Sequence, residues 1–167
     1  TERVTTLSLQ IAKKIIQQNK EAFKEKLLED VHIASLLHDI GKIGIPENIL
    51  NKEGPLTEEE RETVEKHPEI GVAILKSIKE LDKSLLGVKY HHEKYDGSGY
   101  PEGLSGDNIP LIASIISVAD SFDAMTSDRP YRYRKLTPEE AMGELRLNAG
   151  KQFDPTIVNI FIKILNS

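Results

Sequence analysis

The sequence predicts an all-α fold, and three observations carry that expectation. Apolar residues recur every three or four positions along most of the chain, a spacing that gathers them on one face of a helix. Two segments, Thr57-Glu58-Glu59-Glu60 and Thr137-Pro138-Glu139-Glu140, have the capping-box pattern, in which a Thr and a Glu three residues later satisfy helix-end amides reciprocally. One long stretch, 93–110, is dense in Gly, Asp and Pro, residues that permit turns and break helices.

The elements follow in chain order. Positions 4–20 carry Val4, Leu7, Ile11 and Ile15 at helical spacing. Positions 31–39 set Val31, Ala34 and Leu37 or His38 on one face, with Gly41 as the stop. Thr57 opens a short charged helix that ends near His67-Pro68. Ile70, Ile74, Ile78 and Leu81 mark an amphipathic helix, and another runs over 82–91. The 93–110 segment, with Gly97, Gly99, Gly103 and Gly106, reads as a long structured loop; compact domains seldom keep one unless it binds something. Positions 111–125 form the most apolar run and predict a helix buried all round. Pro138 sits at the first position of the helix capped by Thr137. Asp154-Pro155 opens the last helix, with Ile157, Phe161 and Ile164 or Leu165 inward. There is no internal repeat or linker, so 1–167 reads as a single domain.

Composition narrows the function classes. A chain of 167 residues without Cys is long enough to bury a core, fits a reducing, cytoplasmic setting, and excludes a thiolate-bound zinc. No run reaches the roughly 18 apolar residues of a membrane helix. A net charge of −5 disfavours DNA or RNA polymers as partners, because such surfaces are basic. A small phosphorylated ligand needs only a local cluster, and Arg129, Arg132, Arg134 and Lys135 form the one dense basic group. An ordinary solvated loop would also account for it.

Four of the five histidines fall in three short segments: His38-Asp39, His67-Pro68 and His91-His92-Glu93. Imidazole nitrogen and carboxylate oxygen are the ligands of hydrolytic metal centres. Neighbours on a regular helix point about 100° apart, so His38 and Asp39 suit two ions side by side, with the carboxylate shared. That arrangement favours phosphoester hydrolysis, where attacking and leaving oxygens both need charge neutralised. A capping or ion-paired helix end would equally explain His38-Asp39 alone. Asp120 stands within the apolar 111–125 run, where an ionised carboxylate needs a cation or a paired Arg. Asp123, one turn on, reads as a residue orienting a ligand. His32 belongs to no motif.

Taken together, His38-Asp39 with Gly41-Lys42, His67-Pro68, His91-His92-Glu93, Asp96-Gly97-Ser98-Gly99-Tyr100-Pro101 and Val118-Ala119-Asp120 resemble the signature of the HD-GYP domain family. Gly44-Ile45-Pro46, Asp128-Arg129-Pro130-Tyr131-Arg132 and Phe153-Asp154-Pro155 extend the resemblance over nearly the whole chain. The resemblance implies an HD-type helical bundle that hydrolyses bacterial cyclic di-GMP to linear pGpG or GMP. It implies two divalent ions, or three in a longer protein, with iron or manganese expected. The implied metal ligands are His38, Asp39, His67, His91, His92 and Asp120, with Asp39 bridging and Lys42 reaching the phosphate. Gly99, Tyr100 and Pro101 would shape the substrate mouth, and Arg129 and Arg132 would clamp phosphate or guanine. The family has a further His just before the segment matching Thr1-Glu2-Arg3-Val4. The chain therefore reads as the C-terminal output part of a longer protein, behind a sensor or receiver domain, and is compatible with a homodimer. It departs from the family at Ser114, where Arg is common. Two rival readings stay open: an HD hydrolase of another cyclic dinucleotide or nucleotide, and a non-hydrolytic module that binds a dinucleotide or a protein.

Overall fold

The computed structural model describes residues 1–18, 24–128 and 134–166. Helices α1 (Glu2–Gln18), α2 (Lys24–Leu37), α7 (Leu111–Thr126), α8 (Pro138–Leu147) and α9 (Pro155–Leu165) build the main body. Of the shorter helices α3 (Glu47–Leu50), α4 (Glu58–Val64), α5 (His67–Leu75) and α6 (Ser84–Tyr90), α6 packs against α2 and α7, α5 against α6, and α3 against α4. No strand occurs among the described residues, where two isolated bridges join Asp96 to Ser105 and Ala149 to Phe153. No helix among them is long and apolar enough to cross a membrane.

The core forms where the predicted apolar faces meet. Val4, Ile11 and Ile15 of α1 pack with Val31 and Ala34 of α2, Ile115 and Phe122 of α7, Leu145 of α8, and Ile157 and Phe161 of α9. Phe122 meets Phe161 edge to face, with ring centroids 5.1 Å apart, the arrangement that aromatic quadrupoles favour. Gly87 lets α6 settle between α2 and α7: a Cβ there would lie 2.7 Å from the Ala34 side chain and 2.9 Å from Ile116.

Both capping boxes form. Thr57 Oγ1 accepts from Glu60 N at 3.2 Å while Glu60 Oε2 accepts from Thr57 N at 2.7 Å. Thr137 and Glu140 repeat the pair at 3.2 and 2.9 Å. Asp154 caps α9 through the amides of Thr156 and Ile157.

Two expectations change. The helix containing Val31 begins seven residues earlier, at Lys24, and stops at Leu37, so His38 and Asp39 lie in the turn beyond it. The helix expected through Ile78 and Leu81 stops at Leu75, where a separate 3₁₀ turn, Lys79–Leu81, takes over and leaves Ile74 and Ile78 exposed. Apolar spacing therefore continued past the point where there was a core to receive it. The expected last positions of the first helix, 19–20, lie outside the described residues.

Candidate metal centre

The ends of helices leave carbonyls without intrahelical partners, and this fold uses three such carbonyls in the same way. His38 directly follows α2, and its Nδ1 lies 2.7 Å from Ser35 O. His67 stands three residues beyond the end of α4, with Nδ1 2.8 Å from Val64 O. His91 directly follows α6, with Nδ1 2.9 Å from Val88 O. A carbonyl only accepts, so Nδ1 carries a proton in each ring and Nε2 is the atom turned toward the cluster. All three rings are buried, and their Nε2 atoms converge.

Asp39 stands at the convergence. Its Oδ1 is 3.4 Å from His67 Nε2 and its Oδ2 is 3.6 Å from His38 Nε2. His38 Nε2 is also 3.7 Å from Asp120 Oδ1. One donor atom each from Asp39, His67, His91 and His92 lies within 4.8 Å of the others. Lys42 Nζ donates to Asp39 Oδ2 across 2.6 Å. His67 Nε2 faces His91 Nε2 at 3.4 Å. Two ring nitrogens this close need a proton or a cation between them. This donor set fits a divalent ion.

The electrostatics point the same way. Burial pushes the Asp39 carboxyl up, but His67, His38 and Lys42 together outweigh it and hold it well below the usual carboxylate range. Asp120 is likewise lowered: burial is overcome by its contact with His38. His38 is raised, because Asp120 and Asp39 overcome its burial. Burial, aided by neighbouring imidazoles, drives His91 well below its ordinary value and His92 down to about 3. Those two rings are neutral and ready to ligate at any ordinary pH.

A pH dependence follows for the metal-free chain. In acid the unfolded chain protonates the His91 and His92 rings while the folded chain does not, so acid favours unfolding. Their contribution is complete above the ordinary 6.5 and declines as pH falls toward about 3. The raised His38 acts in the opposite sense: its contribution is present below 6.5 and lost as pH rises through its folded value. The two lowered rings outweigh the one raised, so the urea midpoint is expected to be lower at about pH 5 than at about pH 7. An unchanged midpoint would count against buried neutral imidazoles.

The Gly-rich segment closes over this cluster. At Gly99 a Cβ would come within 2.3 Å of Lys94 N and 2.5 Å of His92 O, so only Gly lets the loop return to the backbone beside His92. Tyr100 N donates to His92 O at 3.3 Å, and the Tyr100 ring stacks on His92 with centroids 4.8 Å apart. Pro101 follows across a cis peptide bond. Glu93 is buried, and its Oε1 accepts from Glu102 N at 2.8 Å, bracing the far side of the loop. The resulting cavity of about 200 Å³ is lined by His91, His92, Tyr100, Asp120, Ser117 and Lys94, among others.

The fold thus brings His38, Asp39, His67, His91, His92 and Asp120 together, with Lys42 beside Asp39 and Gly99-Tyr100 at the mouth. Arg129 and Arg132 lie outside the described residues. Other expectations need correction. The Asp120 side chain is 28 % exposed rather than sealed in, because α7 turns Ser117, Asp120 and Ser121 toward the cavity. Among the described residues Asp123 turns to other partners than the candidate ligands: it pairs with Arg3 at 3.0 Å and accepts from Ser127 Oγ. Arg134 and Lys135 are engaged by Glu140 and Asp128 in surface ion pairs. His32 is exposed, apart from the cluster. The bracing by Glu93 went unread, since only its burial and its acceptance of the Glu102 amide reveal it.

Comparison with known proteins agrees with this geometry. The sequence matches the HD domain family over residues 1–157. It is 44% identical over 167 residues to a cyclic di-GMP phosphodiesterase of Thermotoga maritima, covering 98% of this chain and 43% of that protein. It is 42% identical to the cyclic di-GMP phosphodiesterase response regulator RpfG of Xanthomonas campestris, covering 83% of this chain and 37% of that one. A 3′3′-cGAMP-specific phosphodiesterase of Vibrio cholerae is 41% identical, over 78% of this chain and 25% of its own length. The chain therefore spans less than half the length of these relatives. Among solved structures, the HDG"Y"P protein Bd1817 of Bdellovibrio bacteriovorus shares the fold with a TM-score of 0.75 at 22% identity, covering 99% of this chain and 51% of that one. With the His-Asp pair, the converging imidazoles and the Gly-Tyr-Pro loop in place, the chain belongs to the HD domain family.

Proposed function

We propose that the chain is the hydrolytic part of a longer bacterial signalling protein and cleaves cyclic di-GMP to linear pGpG and on to GMP. The observation that carries this reading is the approach of His67 Nε2 to His91 Nε2, 3.4 Å apart beside Asp39. His38, Asp39, His67, His91, His92 and Asp120 would hold two divalent ions, with Asp39 common to both because its two oxygens face different histidines. Mixed imidazole and carboxylate donors without thiolate suit iron or manganese. Ions in this set supply Lewis-acid charge neutralisation at the phosphoryl oxygens and lower the proton affinity of water.

The chain's own residues do the rest. The carbonyls of Ser35, Val64 and Val88 hold three rings in one tautomer, so no reorganisation is needed when substrate arrives. Lys42, 42% exposed and one turn past His38, carries positive charge to the edge of the site, where a phosphate can take it from Asp39. Tyr100 roofs His92 and, with its hydroxyl pushed up by burial, remains a neutral phenol that does not repel an anionic substrate. In the overall step the water oxygen bonds to phosphorus as the bond to the 3′ oxygen breaks. One water proton ends on that oxygen, leaving a 3′ hydroxyl and a 5′ phosphate.

The names of the relatives support the substrate class: two act on cyclic di-GMP and one on 3′3′-cGAMP. The test is to strip the chain of metal and reload it with Mn(II) or Fe(II). It is then incubated with cyclic di-GMP, 3′3′-cGAMP and a nucleoside monophosphate, and the products are separated. Metal-dependent, chelator-sensitive release of pGpG is expected. A loaded chain that binds cyclic di-GMP without cleaving it would favour the non-hydrolytic reading.

A further inference from the structure

A second cavity of about 240 Å³ adjoins the one at the imidazoles and shares Ser121 and Gln152 with it. Its floor continues one face of α7: Ser117, Ser121 and Met125 stand four residues apart, on the same side of the helix. Its far wall is the end of α8, with Glu144 and Asn148, and Phe153 closes the inner end. From Asp120 to Met125 the helix advances about 7.5 Å, a nucleotide-sized step from a phosphate to its base.

The far wall is firmly built. Asn148 O accepts from the amides of Lys151, Gln152 and Phe153 at 3.1, 3.0 and 3.2 Å. The same turn is joined to the Gly-rich loop, since Tyr95 N donates to Gln152 O at 3.2 Å and Asp96 N donates to Lys151 O at 2.8 Å. Asn148 Nδ2 donates to Glu144 O at 2.9 Å, which fixes the amide at the rim. The Glu144 carboxylate enters none of the ion pairs between described residues. An acceptor-only group thus stands at the rim of a compartment with apolar walls from Met125 and Phe153, one step from the metal cluster.

We propose that this compartment receives one purine base of the dinucleotide and that Glu144 reads it as guanine. The inference rests on the cyclic-dinucleotide reading above. Guanine presents two adjacent donors, N1–H and the N2 amino group, which a carboxylate accepts together in a bidentate pair. Adenine presents an acceptor beside its amino group, which would set a lone pair against the carboxylate. Met125 and Phe153 offer the faces of the base an apolar bed. Gln in place of Glu144 supplies one donor and one acceptor, the complement of adenine.

The experiment measures equilibrium binding and turnover of cyclic di-GMP, 3′3′-cGAMP and cyclic di-AMP by the Mn(II)-loaded parent, Glu144→Gln and Glu144→Ala. Glu144 is exposed on α8, so both substitutions leave the core intact, and melting curves verify this. Both variants should weaken cyclic di-GMP binding by about tenfold or more with kcat nearly kept. Glu144→Gln should also narrow the preference for guanine over adenine. Equal losses on guanine and adenine dinucleotides, or no loss on either, would overturn the assignment. A parent that binds no cyclic dinucleotide would overturn the proposed function itself, whereas a parent that binds while the variants stay indifferent would overturn Glu144 alone.

Discussion

Asp39→Ala is expected to abolish turnover of cyclic di-GMP and to lower bound divalent metal by at least about a hundredfold in affinity. Even residues that merely orient ligands cost 10–100-fold when removed, and Asp39 stands nearer the centre than any of those. Its two oxygens face His67 and His38 separately, at 3.4 and 3.6 Å, so the substitution takes a donor from both groupings at once. It also leaves Lys42 without the carboxylate it touches at 2.6 Å, placing an uncompensated cation beside the site. The folded state should survive, because Asp39 is a third exposed and fills no part of the core. Elemental analysis, turnover and a thermal melt on one preparation check all three statements. Parent-like metal content with parent-like turnover would sink the assignment of Asp39 as the shared ligand.

Gly41→Ala should be the most damaging single methyl in the chain. A Cβ at Gly41 would fall 1.8 Å from His67 O and 2.5 Å from Gly71 N. Both are backbone atoms of α5, so no side chain can swing aside. The 3₁₀ turn Ile40–Gly44 and the start of α5 would have to separate. Overpacking of this kind costs about 3 kcal/mol or more, a fall in Tm of roughly 6–12 °C for a chain this size. Because α5 begins at His67, metal affinity should fall together with stability. Gly143→Ala is the matched control: nothing lies within 4 Å of its Cβ, and inside α8 the change should stabilise by up to about 1 kcal/mol. Thermal melts of the two variants should move in opposite directions. A Gly41→Ala chain melting with the parent would mean that the α5 contact is looser than described.

Much of this site was legible in the residues themselves. The His-Asp pair, the double His and Asp120 are chemically unusual where they stand, and both capping boxes announce their helices by residue type at a fixed offset. What escaped was direction. Counting apolar residues in 111–125 made α7 seem sealed, yet Ser117, Asp120 and Ser121 share the side that faces the cavity. Asp123, three residues on, leans away to Arg3. Close backbone approach also escaped, since nothing in Gly41 or Gly99 as letters says that a neighbouring chain passes within van der Waals contact. The guanine-sized compartment was hidden for a third reason: its walls come from α7, α8 and the turn before α9, and no local pattern links them.

The three Nδ1-to-carbonyl contacts reach beyond catalysis. Each ring is latched to the final turn of a different helix, α2, α4 or α6, so a donor atom is only as well placed as that turn is wound. Fraying of any one end would swing a nitrogen out of the cluster. Conversely, an ion held by all three would clasp segments from Ser35 to His91 into one cooperative unit. Metal occupancy and the opening of these helix ends are then one equilibrium viewed from two sides. A domain built this way can be made inactive by loosening a helix end, without any change at a ligand.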